Sequence, residues 1–263
     1  MSIAPTPFGS SDLRLPDDLR GPLQAHIAHL HSRMEGRGWG GRVGFGQRPA
    51  LIVIDLAIFW TQPTTQIGSD LESVVQSTLC VLAASRAASI PVFFTSYALD
   101  PSDPPSPQNR KLRLGTGAQD PAMYELDPRL ARRPTEKLIR KRYASAFKGT
   151  NLHEMLASLG IDTLIVTGVS TSHCVYATCR DATDSVRVIV PKEAVGERCE
   201  LLHEVNLLDI DLDLGDVMPV VEVIQRLWGI GKDWQKRREG VAELSDNFMA
   251  EGRRQPPLQE RPV

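Results

Sequence analysis

Residues 164–182, LIVTGVSTSHCVYATCRDA, join a short apolar run to a cysteine followed by helix-forming residues. The run at 164–166 ends at Gly168, and Ser170, Thr171 and Ser172 make a small hydroxyl-rich turn before Cys174. This is a strand giving way to a helix, the repeating unit of an α/β fold. A thiol at a helix N-terminus faces unpaired N–H groups, whose partial positive charge is expected to favour thiolate. The same N–H groups can hold an oxyanion as a carbonyl is attacked. Position alone leaves Cys174 open to two readings, nucleophile or small buried hydrophobe. Cys80, inside the apolar helical stretch VVQSTLCVLAAS, is expected to be the latter.

A reactive cysteine needs a base and a countercharge from elsewhere in the fold. Residues 50–54, ALIVI, suit a strand buried on both faces, with Asp55 at its carboxyl end, the edge where open parallel sheets bind ligands. Residues 136–142, EKLIRKR, form a strand-like stretch that puts Lys141 at a similar height. By local sequence Lys141 is one of several solvated charges, with Lys137 and Lys148 as competitors.

The elements RPALIVIDL, KRYASAFKGTNL and VTGVSTSHCVYATCRDA, in this order, resemble the isochorismatase-like cysteine hydrolases. The resemblance spans about residues 38–229, and GRGWGGRVGFGQRPA and HEVNLLDIDLDLGDV look like the N-carbamoylsarcosine amidase-like branch. It implies a catalytic Asp55, Lys141 and Cys174, and a cis peptide between Val169 and Ser170 that, with the Cys174 amide, forms an oxyanion hole. One departure stands out: many members read D-x-Q-x-x-F, whereas this chain reads Asp55-Leu56-Ala57-Ile58-Phe59-Trp60. The implied activity is metal-independent hydrolysis of a small acyclic amide or N-carbamoyl (ureido) compound, releasing ammonia through a thioester. The alternatives are a vinyl-ether hydrolase of the isochorismatase type and a catalytically silent interaction subunit. Substrate contacts are expected from Trp60, Thr171 and Arg198. Each has a plainer reading: Trp60 with Phe59 as ordinary core, Thr171 with Ser172 as a helix cap, Arg198 as a surface arginine beside Glu197 and Glu200.

The resemblance also bears on metal: nicotinamidases of this superfamily hold zinc or iron beside the triad through an Asp-x-His pattern with a second histidine, and the corresponding stretch here, PVFFTSYALDPSDPPSP, contains no histidine, so no metal and no cofactor are expected. His26 and His29 read as a surface helical face, and His173, adjacent to Cys174, diverges too far on a helix for a tight dyad. Four cysteines at uneven spacing form no disulfide framework, and no signal peptide or membrane-length apolar run is visible, so a cytoplasmic location is expected. A net charge of −2 and Arg-rich patches without interleaved aromatics give no nucleic-acid signature. The expected partners are a small-molecule substrate and further copies of the chain, as a dimer or tetramer, with no nucleic acid and no membrane.

The expected fold class is α/β, a three-layer α/β/α arrangement with a mostly parallel, about six-stranded Rossmann-like sheet. An N-terminal arm and helix occupy 1–37, with the helix near 22–34; the hydrolase domain occupies 38–233 and a polar tail 234–263. The Gly-rich segment 36–46 precedes a strand, whereas a phosphate loop follows one, so it reads as a closely packed connection. Strands are expected near 50–54, 91–96, 136–142, 162–167 and 186–191, and helices near 69–88, 150–159, 173–184, 199–209 and 218–228. The Pro-rich loop 101–108 is a candidate for the substrate mouth.

Overall fold

The computed structural model describes residues 13–65, 67–98, 104, 106–112 and 120–231. The tail 234–263, the first twelve residues of the arm and half of the 101–108 loop lie outside the described residues. In chain order the elements are α1 (Asp17–Glu35), β1 (Pro49–Ile54), α2 (Ile58–Thr61), α3 (Glu72–Ala87), β2 (Val92–Tyr97), α4 (Pro107–Lys111) and β3 (Lys137–Lys141). There follow α5 (Leu152–Ser158), β4 (Thr163–Val169), α6 (Tyr176–Ala182), β5 (Arg187–Pro191), β6 (Val195–Gly196), α7 (Glu200–Asp209) and β7 (Asp216–Met218). A closing helix, α8, runs over 220–231.

The sheet has seven strands in the order β3-β2-β1-β4-β5-β7, with β6 pairing β4, and the paired strands run parallel. β1 and β4 are buried at every residue, as continuous apolar runs in a parallel sheet covered on both faces must be. Alternate residues of β1 serve opposite layers. Leu51 and Val53 pack with Val75 and Leu82 of α3 and Val223 of α8; Ala50, Ile52 and Ile54 pack with Leu152 of α5 and Cys179 of α6. Each such aliphatic side chain contributes about 1.5–3 kcal/mol by its burial.

The chain winds outward from β1 through β2 to β3, then returns to place β4 on β1's other side. The strand order therefore reverses between β1 and β4, and the crevice beyond their carboxyl ends is where such sheets bind ligands. Gly168 shapes this junction. It has φ +104°, and a Cβ there would stand 2.0 Å from the Ile54 carbonyl oxygen, so only glycine lets the ends of β1 and β4 approach this closely.

Several expectations need correction. Cys80 is exposed: the buried positions of α3 are Val74, Val75, Thr78, Val81, Leu82, Ala84 and Ser85, and Cys80 falls on the other side of the helix. The N-terminal helix begins at Asp17, five residues before Pro22, because a proline this near the start forfeits one backbone bond without ending the helix. Strand β4 continues through Gly168 to Val169. The short strands β6 and β7 carry no periodic signal long enough to read. The segment 36–46 does not pack closely along its length: a Cβ at Gly46 would meet the Asp162 carboxylate at 2.3 Å and one at Gly40 would meet Leu212 at 3.3 Å, but Gly38, Gly41 and Gly44 have open space around them and most of the segment is exposed.

Candidate active site

Asp55 sits one residue past β1 at φ 49°, a left-handed conformation that aspartate tolerates better than bulkier residues. Thr95 of β2 fixes it from both sides. The Asp55 N–H donates to Thr95 Oγ1 at 3.2 Å, and the Thr95 hydroxyl donates to Asp55 Oδ1 at 2.7 Å. The other oxygen, Oδ2, lies 2.7 Å from Lys141 Nζ, a charge-assisted ion pair in the interior.

Lys141 ends β3, and its stem spans the end of β2 to reach Asp55; both side chains are wholly buried. The ammonium also donates to Cys174 Sγ at 3.2 Å and to the Tyr143 carbonyl at 3.1 Å. Burial pulls its pKa down, but Asp55 and Cys174 outweigh that and hold it above the usual lysine value. The competing lysines lie elsewhere: Lys137 is exposed at the opposite end of β3, and Lys148 lies 4.6 Å over the Tyr143 ring.

Cys174 belongs to a π-helical turn, Thr171–Val175, that precedes α6. The residue is half-buried. Burial first, and then the Asp55 charge, push the thiol up to about 12, against the opposing influence of Lys141. Desolvation and the neighbouring carboxylate thus oppose the expected thiolate and favour the protonated thiol.

The Val169–Ser170 peptide bond is cis. The Ser170 carbonyl accepts from the amides of His173 at 2.9 Å and Val175 at 3.2 Å, bonds in which the Thr171 and Cys174 amides take no part. Thr178 ties the arrangement to the segment after Lys141: its hydroxyl donates to the Cys174 carbonyl at 2.6 Å and accepts from the Ala146 amide at 3.1 Å.

The other named residues have partners of their own, and the cleft that Arg198 lines includes none of Asp55, Lys141 and Cys174 among its lining residues. Trp60 lies on α2 and packs edge-on against Phe59, with ring centroids 5.3 Å apart, and against Tyr124 at 6.2 Å. Thr171 is buried with its hydroxyl committed, donating to the Gly196 carbonyl at 3.0 Å and lying 2.9 Å from His203 Nδ1. That leaves it no free donor for a substrate. Arg198 gives Nη1 to Glu197 Oε1 at 3.1 Å and lines a cleft of ≈ 440 Å³ with Arg14, Arg20, Asp70, Glu200 and His203. His173 contacts Ser172 Oγ at 2.8 Å through Nδ1, and His26 and His29 are exposed. Among the described residues, no group of three or more His, Cys, Asp or Glu is placed to hold a metal ion.

Sequence reasoning missed Thr95, Thr178 and Glu197. The readable signal for Thr95 was a polar residue in the otherwise apolar start of FFTSY, at the carboxyl end of a strand; Thr178 and Glu197 carried none.

A doubly covered parallel sheet with acid, ammonium and thiol gathered at its switch point defines an α/β protein with a cysteine-centred site. The chain belongs to the isochorismatase domain family, whose family model matches residues 49–221. It is 39% identical over 199 residues to N-carbamoylsarcosine amidase of an Arthrobacter species, covering 73% of this chain and 75% of that protein. It is 33% identical to maleamate amidohydrolase of Pseudomonas putida, covering 72% of this chain and 91% of the relative. Among solved structures, a cysteine hydrolase from Pseudomonas syringae pv. phaseolicola superposes with a TM-score of 0.65 at 24% identity, covering 70% of this chain and 94% of that one, a likeness of fold.

Proposed function

We propose that the protein is a metal-independent cysteine amidohydrolase that cleaves the C–N bond of a small acyclic amide or N-carbamoyl compound and releases ammonia. One observation carries this reading: Lys141 Nζ stands 2.7 Å from Asp55 Oδ2 and 3.2 Å from Cys174 Sγ, although the three residues come from separate strand ends. The named activities of the two relatives, on N-carbamoylsarcosine and on maleamate, support the same bond type.

The chemistry follows from the resting charges. Asp55 Oδ2 takes the thiol proton as Sγ attacks the carbonyl carbon, and Lys141 stabilises the charge that develops on sulfur. The amides around the cysteine turn, including that of Cys174, hold the tetrahedral oxyanion. Asp55 returns its proton to the nitrogen, the C–N bond breaks, and ammonia leaves a thioester. Water, deprotonated by Asp55, then attacks the thioester, and the thiolate recovers the proton as the acid product departs. Arg198 is suited to a substrate carboxylate through the guanidinium nitrogens not given to Glu197. By family resemblance the protein is a homo-oligomer in the cytoplasm; no described helix is long and apolar enough to cross a membrane.

Ammonia release from a panel of carboxamides and ureido acids tests the proposal. Wild type turns over at least one, and Cys174→Ala, folded by circular dichroism, loses at least about 10³-fold in kcat while mass spectrometry of wild type traps an acyl adduct on Cys174. Pyruvate release from isochorismate would point instead to vinyl-ether hydrolysis, and an absence of all turnover to a silent family member.

A further inference from the structure

Glu197 has a wholly buried side chain and takes no part in the triad. It follows β6, the two-residue strand that pairs with the carboxyl end of β4 immediately before the cysteine turn. Its Oε2 accepts from the Ser172 amide at 2.9 Å and the Ser172 hydroxyl at 2.6 Å. Its Oε1 accepts from the Arg198 amide at 2.9 Å and from Arg198 Nη1 at 3.1 Å. Because the Ser172 hydroxyl gives its one proton to Glu197, the His173 ring must donate to Ser172 Oγ, which assigns the ring proton to Nδ1. Both carboxylate oxygens are thus doubly hydrogen-bonded, and the guanidinium supplies the countercharge a buried carboxylate requires.

The consequence falls on the turn. Of its amides, Ser172 is committed to Glu197, and His173 and Val175 to the Ser170 carbonyl, while Thr171 and Cys174 take no part in these bonds. Thr171 is anchored outside the turn through its hydroxyl, to the Gly196 carbonyl, but of the three amides bonded here that of Ser172 is the one whose acceptor lies outside it. Without that acceptor a donor in a mostly buried turn is left unpaired, and the turn must rotate to satisfy it.

We propose that Glu197 is a positioning residue for the cysteine turn: by gripping Ser172 through both its amide and its hydroxyl, it keeps the Cys174 thiol and amide aligned for attack and oxyanion binding. Arg198 serves that carboxylate as well as substrate. This inference rests on the amidohydrolase reading above.

Glu197→Gln keeps the shape but removes the charge and sets an NH2 group either against the Ser172 amide and hydroxyl or against the Arg198 amide and guanidinium, so one pair of donors loses its acceptor and the Ser172 grip loses its charge assistance. Its kcat per iodoacetamide-titratable thiol is expected to fall about 10- to 100-fold, the range that a misplaced oxyanion donor produces, with KM changed less than about threefold. Ser172→Ala, which keeps the backbone bond, is expected to lose about 3- to 10-fold, and it decides the question if Glu197→Gln does not fold. A wild-type kcat per titrated thiol, even with a lowered Tm, would reduce Glu197 to a structural part and overturn the proposal. If wild type releases ammonia from no amide, the amidohydrolase reading fails instead. Hydrogen exchange then decides: exchange across 171–175 is expected to quicken at least about tenfold in Glu197→Gln with 49–54 unchanged, and equal protection overturns the positioning role.

Discussion

Two aspartates stand at opposite edges of the same sheet and live under opposite rules. Asp162, just before β4 at the amino edge, accepts from the Gln47 amide at 2.7 Å, the Arg48 amide at 3.1 Å and the Thr163 hydroxyl at 2.8 Å. Burial raises its pKa, but those donors outweigh it and bring the carboxyl below its ordinary value. Asp55, at the carboxyl edge, is wholly buried at φ 49°, with one oxygen held by Thr95 and the other paired with the Lys141 ammonium at 2.7 Å. A carboxylate held by backbone amides at the surface is a staple; one buried with a single ammonium beside a thiol is placed to act as the base of the proposed mechanism. The difference lies in the partners: neutral amides in one case, one buried cation shared with sulfur in the other.

The comparison breaks most sharply at the buried ion pair. Lys141→Met leaves Asp55 charged and unpaired and is expected to destabilise by about 3–5 kcal/mol, read from urea unfolding at pH 7. Adding Asp55→Asn should restore much of that loss, while either variant abolishes turnover. If Lys141→Met were as stable as wild type, Asp55 would not be an uncompensated charge and the contrast would collapse.

At the other edge the effect is smaller and of the opposite kind. Asp162→Ala removes the acceptor for two amides and a hydroxyl and is expected to cost about 1–3 kcal/mol with kcat within about twofold of wild type. A large loss of activity in the folded variant would show that the two edges are not independent.

The smallest effect is the pH dependence of stability. Unfolded cysteine releases its proton near pH 8.5. Cys174 in the fold holds its proton up to about 12. The folded state thus binds more protons across that window, and the thiol's contribution is present below about 8.5 and fades as pH rises toward 12. Lys141, also raised, acts in the same direction above the ordinary lysine value. Urea midpoints should fall from pH 8 to pH 10 in wild type and fall less in Cys174→Ser. An equal decline in both would remove the thiol from the account.

Legibility followed chain locality. The buried strands β1 and β4 were readable because a strand covered on both faces must be apolar throughout, and Asp55 and Cys174 were conspicuous as polar residues ending those runs. The positioning of Lys141 was not: in KLIRKR its charge resembles its neighbours', and only the β3–β2–β1 order turns it inward. Thr178 and Glu197 were illegible for the same reason, since each acts on a residue more than three positions away in sequence, whereas Thr95 left a readable trace as a polar residue near the carboxyl end of an apolar strand. Cys80 misled because an apolar stretch does not reveal which face of its helix meets the sheet.

Sequence by itself determined the α/β alternation, the strand-turn-helix around Cys174 and the order of the three motifs, because periodicity, glycine and turn chemistry act between near neighbours. Tertiary structure alone decided which lysine joins the acid and the thiol, that burial and a carboxylate surround that thiol, and that a buried glutamate holds Ser172. Those outcomes depend on desolvation and on distances of a few ångströms between segments that only the closed sheet brings together.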